Sequence, residues 1–308
     1  MCSALTVSNT SIDRDSIEFL LFKLSFGRKI MPNVRGNTDE PAWVRWTLIA
    51  VAVMFMALFL LLPLILVFYC AFEEGLTTYW EALTSRRTLR AIGVTLLTIG
   101  IAVPINVLFG IMSAWCLGKF NFWGKSLLIS LIDLPFAVSP VIAGLLFVLL
   151  FGLNSLLGDW LMDAFGIKIL HTTTATVIAT MFVTFPFVTR ELLPIMQAQG
   201  TEEELAARVL GANGLQIFFR VTLPNIKWAL LYGVVLCNAR AMGEFGAVNV
   251  VSHGGKNNTL SLLIYETYQS DLVAAFAVST LLALMAIITL ILKTFIEMRT
   301  ARKEGIEI

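Results

Sequence analysis

Six stretches of this chain are long and almost free of charge, and they constrain its fold more than any other feature. Trp46 to Phe72 is uncharged for 27 residues, Ala91 to Gly118 for 28, Leu134 to Gly158 for 25, and Ile169 to Thr189 and Leu272 to Leu292 for 21 each. A sixth, from Lys227 to Val251, is apolar apart from Arg240 and Glu244. A helix needs about 20 apolar residues to cross the hydrocarbon of a bilayer. The pattern therefore predicts an all-α membrane protein with six transmembrane helices. The third helix is expected to begin before its window, near Ser126, which places Asp133, Pro135 and Pro140 inside it and predicts a kink or a break.

Composition narrows the function. Only 14% of residues are charged, against about 25% in soluble domains. That excludes a disordered chain, a secreted disulfide scaffold and a conventional cytosolic enzyme. The net charge is +1, so no global field draws in nucleic acid, and none is expected as a partner. The placement of the charges carries more information. Sixteen Lys and Arg fall on one side of six alternating spans and five on the other, which orients both termini to the cytoplasm. Arg86, Arg87 and Arg90 are the dissenting cluster, offset locally by Glu73, Glu74 and Glu81. The expected organisation is a tail over 1–45, a transmembrane domain over 46–297 and a cytoplasmic tail over 298–308. The first tail has no signal-peptide cleavage pattern. It reads as dispensable, with Met31 as a possible initiator, or alternatively as an interfacial amphipathic helix.

Catalytic chemistry finds little support. Cys2, Cys70, Cys116 and Cys237 form no Cys-x-x-Cys pair and read as small packing residues. His171 and His253 make no paired metal site, and no metal or other cofactor is expected. Gly124-Lys125-Ser126 imitates the end of a P-loop, but position 119 is Lys where Gly is needed and no strand precedes it. The segment reads as a basic loop, and no ATPase site is expected in this chain.

The connection from Arg190 to Lys227 is more informative. Thr201 to Glu204 reads as a capping box, with the Thr201 hydroxyl accepting from the Glu204 amide and the Glu204 carboxylate reaching back. Leu205, Ala206, Val209 and Leu210 then form one apolar stripe at helical spacing, and Gly211 supplies the stop. A second segment spaces Leu215, Phe218, Phe219 and Thr222 helically, and Pro224 is expected to end it. Within the fifth span, Arg240 and Glu244 are one turn apart and predict an ion pair facing the bundle interior or a wet cavity. Both an internal structural pair and a contribution to an anion path fit that pattern. Asp133 reads as an interior hydrogen-bond acceptor at a helix break. Gly243 and Gly246 read as close-packing positions.

These residues resemble a known family. Leu205-Ala206-Ala207, Gly211 and Leu223-Pro224 keep the intervals of the cytoplasmic loop of ABC-importer permeases, with Leu205 where the family usually has Glu and Val221 where it has Ile. Arg240-Ala241-Met242-Gly243-Glu244-Phe245-Gly246-Ala247 resembles a signature of oxyanion importers. Asp133 to Pro140 and Leu223 to Val235 are similar to the W-type permease subunits of sulfate/thiosulfate importers, and the resemblance covers about Trp46 to Glu297.

The resemblance implies a type I importer fold with a coupling helix between spans four and five. It implies that Glu203, Glu204, Ala206, Ala207, Gly211, Leu223 and Pro224 serve coupling to an ATP-binding subunit that acts as a homodimer. It also implies a homologous T-type permease as partner, an extracytoplasmic sulfate-binding protein, and a location in the bacterial inner membrane surrounded by lipid. Arg240, Glu244 and Asp133 would belong to the translocation path or to an internal ion pair. Because Glu244 nearly cancels Arg240, transient passage is expected rather than a tight anion site. The alternatives are a molybdate or tungstate permease, an ion-coupled secondary transporter, for which no convincing repeat of the spans is visible, and an intramembrane enzyme.

Overall fold

The computed structural model describes residues 42–152, 155–166, 168–252 and 258–304. The expectations for residues 1–41 and for the loop at 253–257 lie outside these residues. Every regular element among them is helical. Helical residues run from Trp43 to Ala71, the first expected span. The chain divides between Leu61 and Leu62 into two units. The described part of the first is α1 (Ala42–Met56) and a wide π-helical turn (Ala57–Leu61), where Phe55 and Phe59 lie 4.6 Å apart.

The second unit holds α2 (Leu62–Ala71), α3 (Leu76–Thr84), α4 (Arg86–Lys119), α5 (Lys125–Ala137), α6 (Pro140–Phe151), α7 (Leu156–Phe165) and α8 (Thr173–Gln199). After these come α9 (Glu202–Val209), α10 (Gly214–Ile217), α11 (Leu223–Met242), α12 (Gly246–Ser252), α13 (Leu260–Tyr268) and α14 (Leu272–Glu304).

The unit is built around α4, α8 and α11. Ala114, Val188, Leu192, Met196, Ile226 and Cys237 are buried where these helices meet. Small residues allow the close approach. A Cβ on Gly110 would lie 2.6 Å from Val188 Cβ, and one on Gly118 would lie 2.9 Å from Met196 Cβ. Polar side chains join the same helices. Asn106 Nδ2 donates to Thr184 Oγ1 at 2.7 Å and to the Met181 carbonyl at 3.2 Å, and it lies 3.9 Å from Cys237 Sγ. Such buried donors must find partners inside the bundle, because hydrocarbon offers none.

Two further clusters complete the core. Ala175, Ala179, Val183, Ala247 and Val251 pack α12 against α8, with Phe147 and Phe151 of α6 alongside. Ala91, Leu260, Leu263 and Val278 join α4, α13 and α14, where Thr95 Oγ1 accepts the Leu260 N–H at 2.9 Å.

The span count agrees with the sequence, but not every span is a straight rod. Among the described residues four helices are long and apolar enough to cross a membrane, and the number rises to six if each of two bent helix pairs is one span. The third expected span is the pair α5 and α6, whose axes turn by 106° at Val138-Ser139. The cause lies where the sequence placed it. Pro140 starts α6 at a position where its missing N–H costs nothing, and it holds the preceding residue in extended backbone, with Ser139 at ψ 136°. The window to Gly158 is not one helix, since α6 ends at Phe151 and α7 begins at Leu156. The fifth span is also divided, with a 50° bend between α11 and α12.

Other boundaries are corrected too. The fourth helix runs to Gln199 rather than Thr189, carrying Pro186 and Pro194 within it. Pro224 does not end a helix. The chain passes through it by widening into a π-helical turn at Phe218–Thr222, which accommodates the N–H that Pro lacks, and continues as α11. The stripe expected around it is only half inward: Thr222 is buried and Phe218 half-buried, while Leu215 and Phe219 are exposed and Ile217 takes the buried place. Gly246 is a close-packing position, 3.0 Å from Pro140 Cβ by its would-be Cβ, but Gly243 meets nothing nearer than 4.0 Å.

Candidate functional site: a tethered surface helix and two intramembrane charge pairs

The sequence singles out α9, and the structure shows how it is held. Its C-terminus is closed as predicted. Gly211 takes φ +87°, the Gly211 N–H donates to the Arg208 carbonyl and the Ala212 N–H to the Ala207 carbonyl, both at 3.0 Å. This is the full Schellman pattern, which needs a residue at ease with positive φ.

The N-terminus differs from expectation. The Thr201 side chain makes no capping bond. Glu204 is turned away from its own helix end, because its Oε1 lies 3.1 Å from Lys119 Nζ at the end of α4 and accepts from Thr222 Oγ1 at 2.7 Å. A capping box does form, but at α10, where Asn213 Oδ1 accepts the Gln216 N–H at 2.9 Å and Gln216 Oε1 accepts the Asn213 N–H at 3.0 Å.

Glu203 accepts from Asn225 Nδ2 at the start of α11, and Lys119 Nζ also donates to the Gly200 carbonyl. Trp115 and Phe218 pack with ring centroids 5.3 Å apart in the same region. One face of α9 is therefore bonded to the ends of α4 and α11. On the other, Leu205, Ala206, Val209 and Leu210 are exposed, while Ala207 is half-buried. The seven residues expected to serve coupling thus divide. Glu203 and Glu204 tether the helix, Gly211 shapes its end, Ala206 lies outward, Ala207 is half-buried, Leu223 packs on the main core, and Pro224 is exposed at the wide turn.

Among the described residues, two charge pairs lie on the membrane-crossing helices. Arg240 Nη1 is 2.8 Å from Glu244 Oε2, with the side chains 34% and 1% exposed. The contact is an ion pair without an aligned N–H, since Glu244 Oε2 has no hydrogen-bond partner. Glu244 Oε1 accepts the Ala247 N–H at 3.0 Å, and Ser261 Oγ donates to the Glu244 carbonyl at 2.8 Å. Glu244 thus closes the gap between α11 and α12 and ties it to α13.

The second pair was not anticipated. Asp133 on α5 accepts from Arg190 Nε on α8 at 2.8 Å, and the Arg190 guanidinium carbon lies 4.4 Å over the Phe136 ring. In the sequence Arg190 falls at the start of the connection to the fifth span, because the uncharged window stops at Thr189. Asp133 and Arg190 are 57 residues apart, and no local pattern pairs them. Lys119 and Asn106 were missed for the same reason. Among the described residues no group of His, Cys, Asp and Glu is arranged to hold a metal ion.

Comparison with known proteins places this architecture. Residues 106–302 match the family described as binding-protein-dependent transport system inner membrane component. The chain belongs to this family. As such an inner membrane component, it is 49% identical over 265 residues to the sulfate transport system permease protein CysW of Escherichia coli strain K12, covering 85% of this chain and 91% of that one. It is 47% identical to the protein of the same description from Synechocystis, covering 88% and 99%. To the sulfate transport system permease protein CysT of E. coli K12 it is 35% identical, covering 82% and 92%.

Among solved structures, a bacterial alginate ABC transporter in complex with an alginate pentasaccharide-bound periplasmic protein contains a chain with the same fold. The TM-score is 0.68 at 18% identity, over 84% of this chain and 94% of that one. The inner membrane component described here is thus a transport subunit with a type I importer fold.

Proposed function

We propose that this inner membrane component is a permease subunit of an ATP-driven importer that carries sulfate, and thiosulfate with it, across the cytoplasmic membrane. The observation that carries the reading is α9. It is a short helix bonded on one face to the ends of α4 and α11, with an apolar stripe left open on the other. An element of that kind transmits a push from a docked partner directly to two spans. The partner is an ATP-binding subunit, acting as a homodimer, and this chain needs no ATPase site of its own. The names of the relatives support sulfate as cargo, and the CysT resemblance supports a second, homologous permease. An extracytoplasmic binding protein supplies selectivity.

In this reading residues 46–297 form the transmembrane domain, flanked by tails 1–45 and 298–308. Both termini are cytoplasmic in this reading, supported by the division of Lys and Arg between the two sides, fifteen to five once Arg190 is counted within its span. Arg240, Glu244 and Asp133 belong to the path or to the ion pairs that border it. Reconstitution with the ATP-binding subunit, the second permease and the binding protein, followed by labelled sulfate uptake against thiosulfate and molybdate, tests it. ATP-dependent uptake competed by thiosulfate is the expected result. Uptake driven by an ion gradient without ATP overturns the class, and molybdate outcompeting sulfate overturns the cargo.

A further inference from the structure

Arg190 differs from the other intramembrane arginine in how its charge is met. Arg240 faces a carboxylate that is buried and fixed by a backbone N–H. Arg190 faces Asp133, and the two side chains are 53% and 35% exposed. The bond runs through Nε alone. A guanidinium carries five N–H donors, so the Nη edge, the edge suited to grip two oxygens of an oxyanion, is not engaged by Asp133. Phe136 lies under the guanidinium plane and restricts its swing.

The position of the pair matters. Arg190 is nine residues before the end of α8, about 13 Å along the axis, and Asp133 eight residues into α5, about 12 Å, so both stand on membrane-crossing helices rather than in a loop. Open charge on such helices is not left against lipid; it fronts a water-filled cavity or a second polypeptide. Asp133 also stands five residues before the 106° break between α5 and α6, and discontinuous helices are a feature of polar routes through membrane proteins.

We propose that Arg190 is an anion-contact site on the translocation path, taking transient hold of a divalent tetrahedral oxyanion in exchange for Asp133. In the empty path Asp133 occupies Nε. An arriving anion engages the Nη edge and displaces the carboxylate, and Asp133 retakes the guanidinium as the anion leaves. The Arg190 charge is never left unpaired, and the site stays weak enough for passage. The inference rests on the oxyanion-importer reading and adds to it the residue that touches the cargo.

The test uses the reconstituted complex with labelled sulfate. Arg190→Gln lowers uptake by about 10- to 100-fold, the range set by one hydrogen bond to a charged group, while ATP hydrolysis stimulated by the binding protein continues. Arg190→Lys restores part of the uptake. The double variant Asp133→Asn with Arg190→Gln stays low; recovery to the parent rate overturns the proposal and leaves a purely structural pair. Loss of hydrolysis together with uptake overturns it as well. Arg190→Cys, in a chain whose native cysteines are replaced by alanine, is expected to react with an aqueous sulfonate thiol reagent in the assembled complex. No reaction with or without ATP overturns the proposal. If the parent complex imports no sulfate with ATP, the importer reading fails; if it does and Arg190→Gln matches it, only this proposal fails.

Discussion

Lys119 Nζ lies 3.1 Å from Glu204 Oε1, joining the last residue of α4 to the first turn of α9 through two side chains that are only 6% and 17% exposed. The same carboxylate oxygen accepts from Thr222 Oγ1, so one group gathers the ends of two spans and the surface helix between them. Hydrogen bonds to charged groups contribute about 1.5–3 kcal/mol. Glu204→Gln and Lys119→Met are each expected to loosen α9 and reduce ATP-dependent uptake by about tenfold. The exchange Lys119→Glu with Glu204→Lys recovers part of it. Amide exchange over 202–209, measured beside uptake, checks that the change is local; unaltered protection with lost uptake contradicts the tether.

Gly211 permits a different kind of test, because a Cβ there meets nothing within 4 Å while the backbone sits at φ +87°. Any cost of substitution is therefore conformational, about 1–2 kcal/mol for an L-residue in that region. Gly211→Ala and Gly211→Leu are each expected to fray the last turn of α9 and weaken uptake. Gly214→Ala, with equal space and no positive φ, is expected to leave transport unchanged. Equal behaviour of Gly211→Ala and Gly214→Ala in an uptake assay removes the backbone argument.

The contact between α4 and α8 depends on the missing side chain at Gly110. Gly110→Ala forces a methyl to 2.6 Å from Val188 Cβ and is expected to destabilise the protein by about 1–3 kcal/mol, read as a lower melting temperature in detergent. Gly100→Ala, in the same helix with nothing within 4 Å, should not lower it, since alanine is the better helix former.

Arg240 and Glu244 are expected to be coupled. Removing either leaves the other alone within the membrane, at about 2.5–3.5 kcal/mol on the insertion scale. Arg240→Ala and Glu244→Ala should each lower the amount of folded protein more than half as much as the double variant does. A double-mutant cycle on thermal stability in detergent measures the coupling; strict additivity contradicts a shared pair. Glu244→Gln, which keeps an acceptor for the Ala247 N–H, should be milder than Glu244→Ala.

The sequence made some of these features visible and concealed others for identifiable reasons. Spans declare themselves because hydrocarbon demands an unbroken apolar run, and the break at Val138-Ser139 was visible because Pro140 restricts the residue before it. Gly211 announced the end of α9 by the same kind of local rule. The capping box shows where local rules stop. Thr201 with Glu204 and Asn213 with Gln216 carry the same spacing, and only the second forms, because Lys119 and Thr222 claim the Glu204 carboxylate. Lys119, Asn106 and Arg190 went unassigned because their partners come from other helices, and helix packing leaves no period in the sequence to read.

The two positive-φ glycines that bracket α9, Gly200 at φ +66° and Gly211 at φ +87°, make it an interchangeable part. The chain's path into and out of the helix is set by those two turns and by the inward bonds of Glu203 and Glu204. None of these involves the outward positions 205, 206, 209 and 210. On the proposed function, rewriting the outward face is expected to suit another partner while the membrane-embedded portion stays as it is. A chain whose α9 surface is exchanged for that of a relative should still assemble its spans, and should change which ATP-binding subunit it accepts.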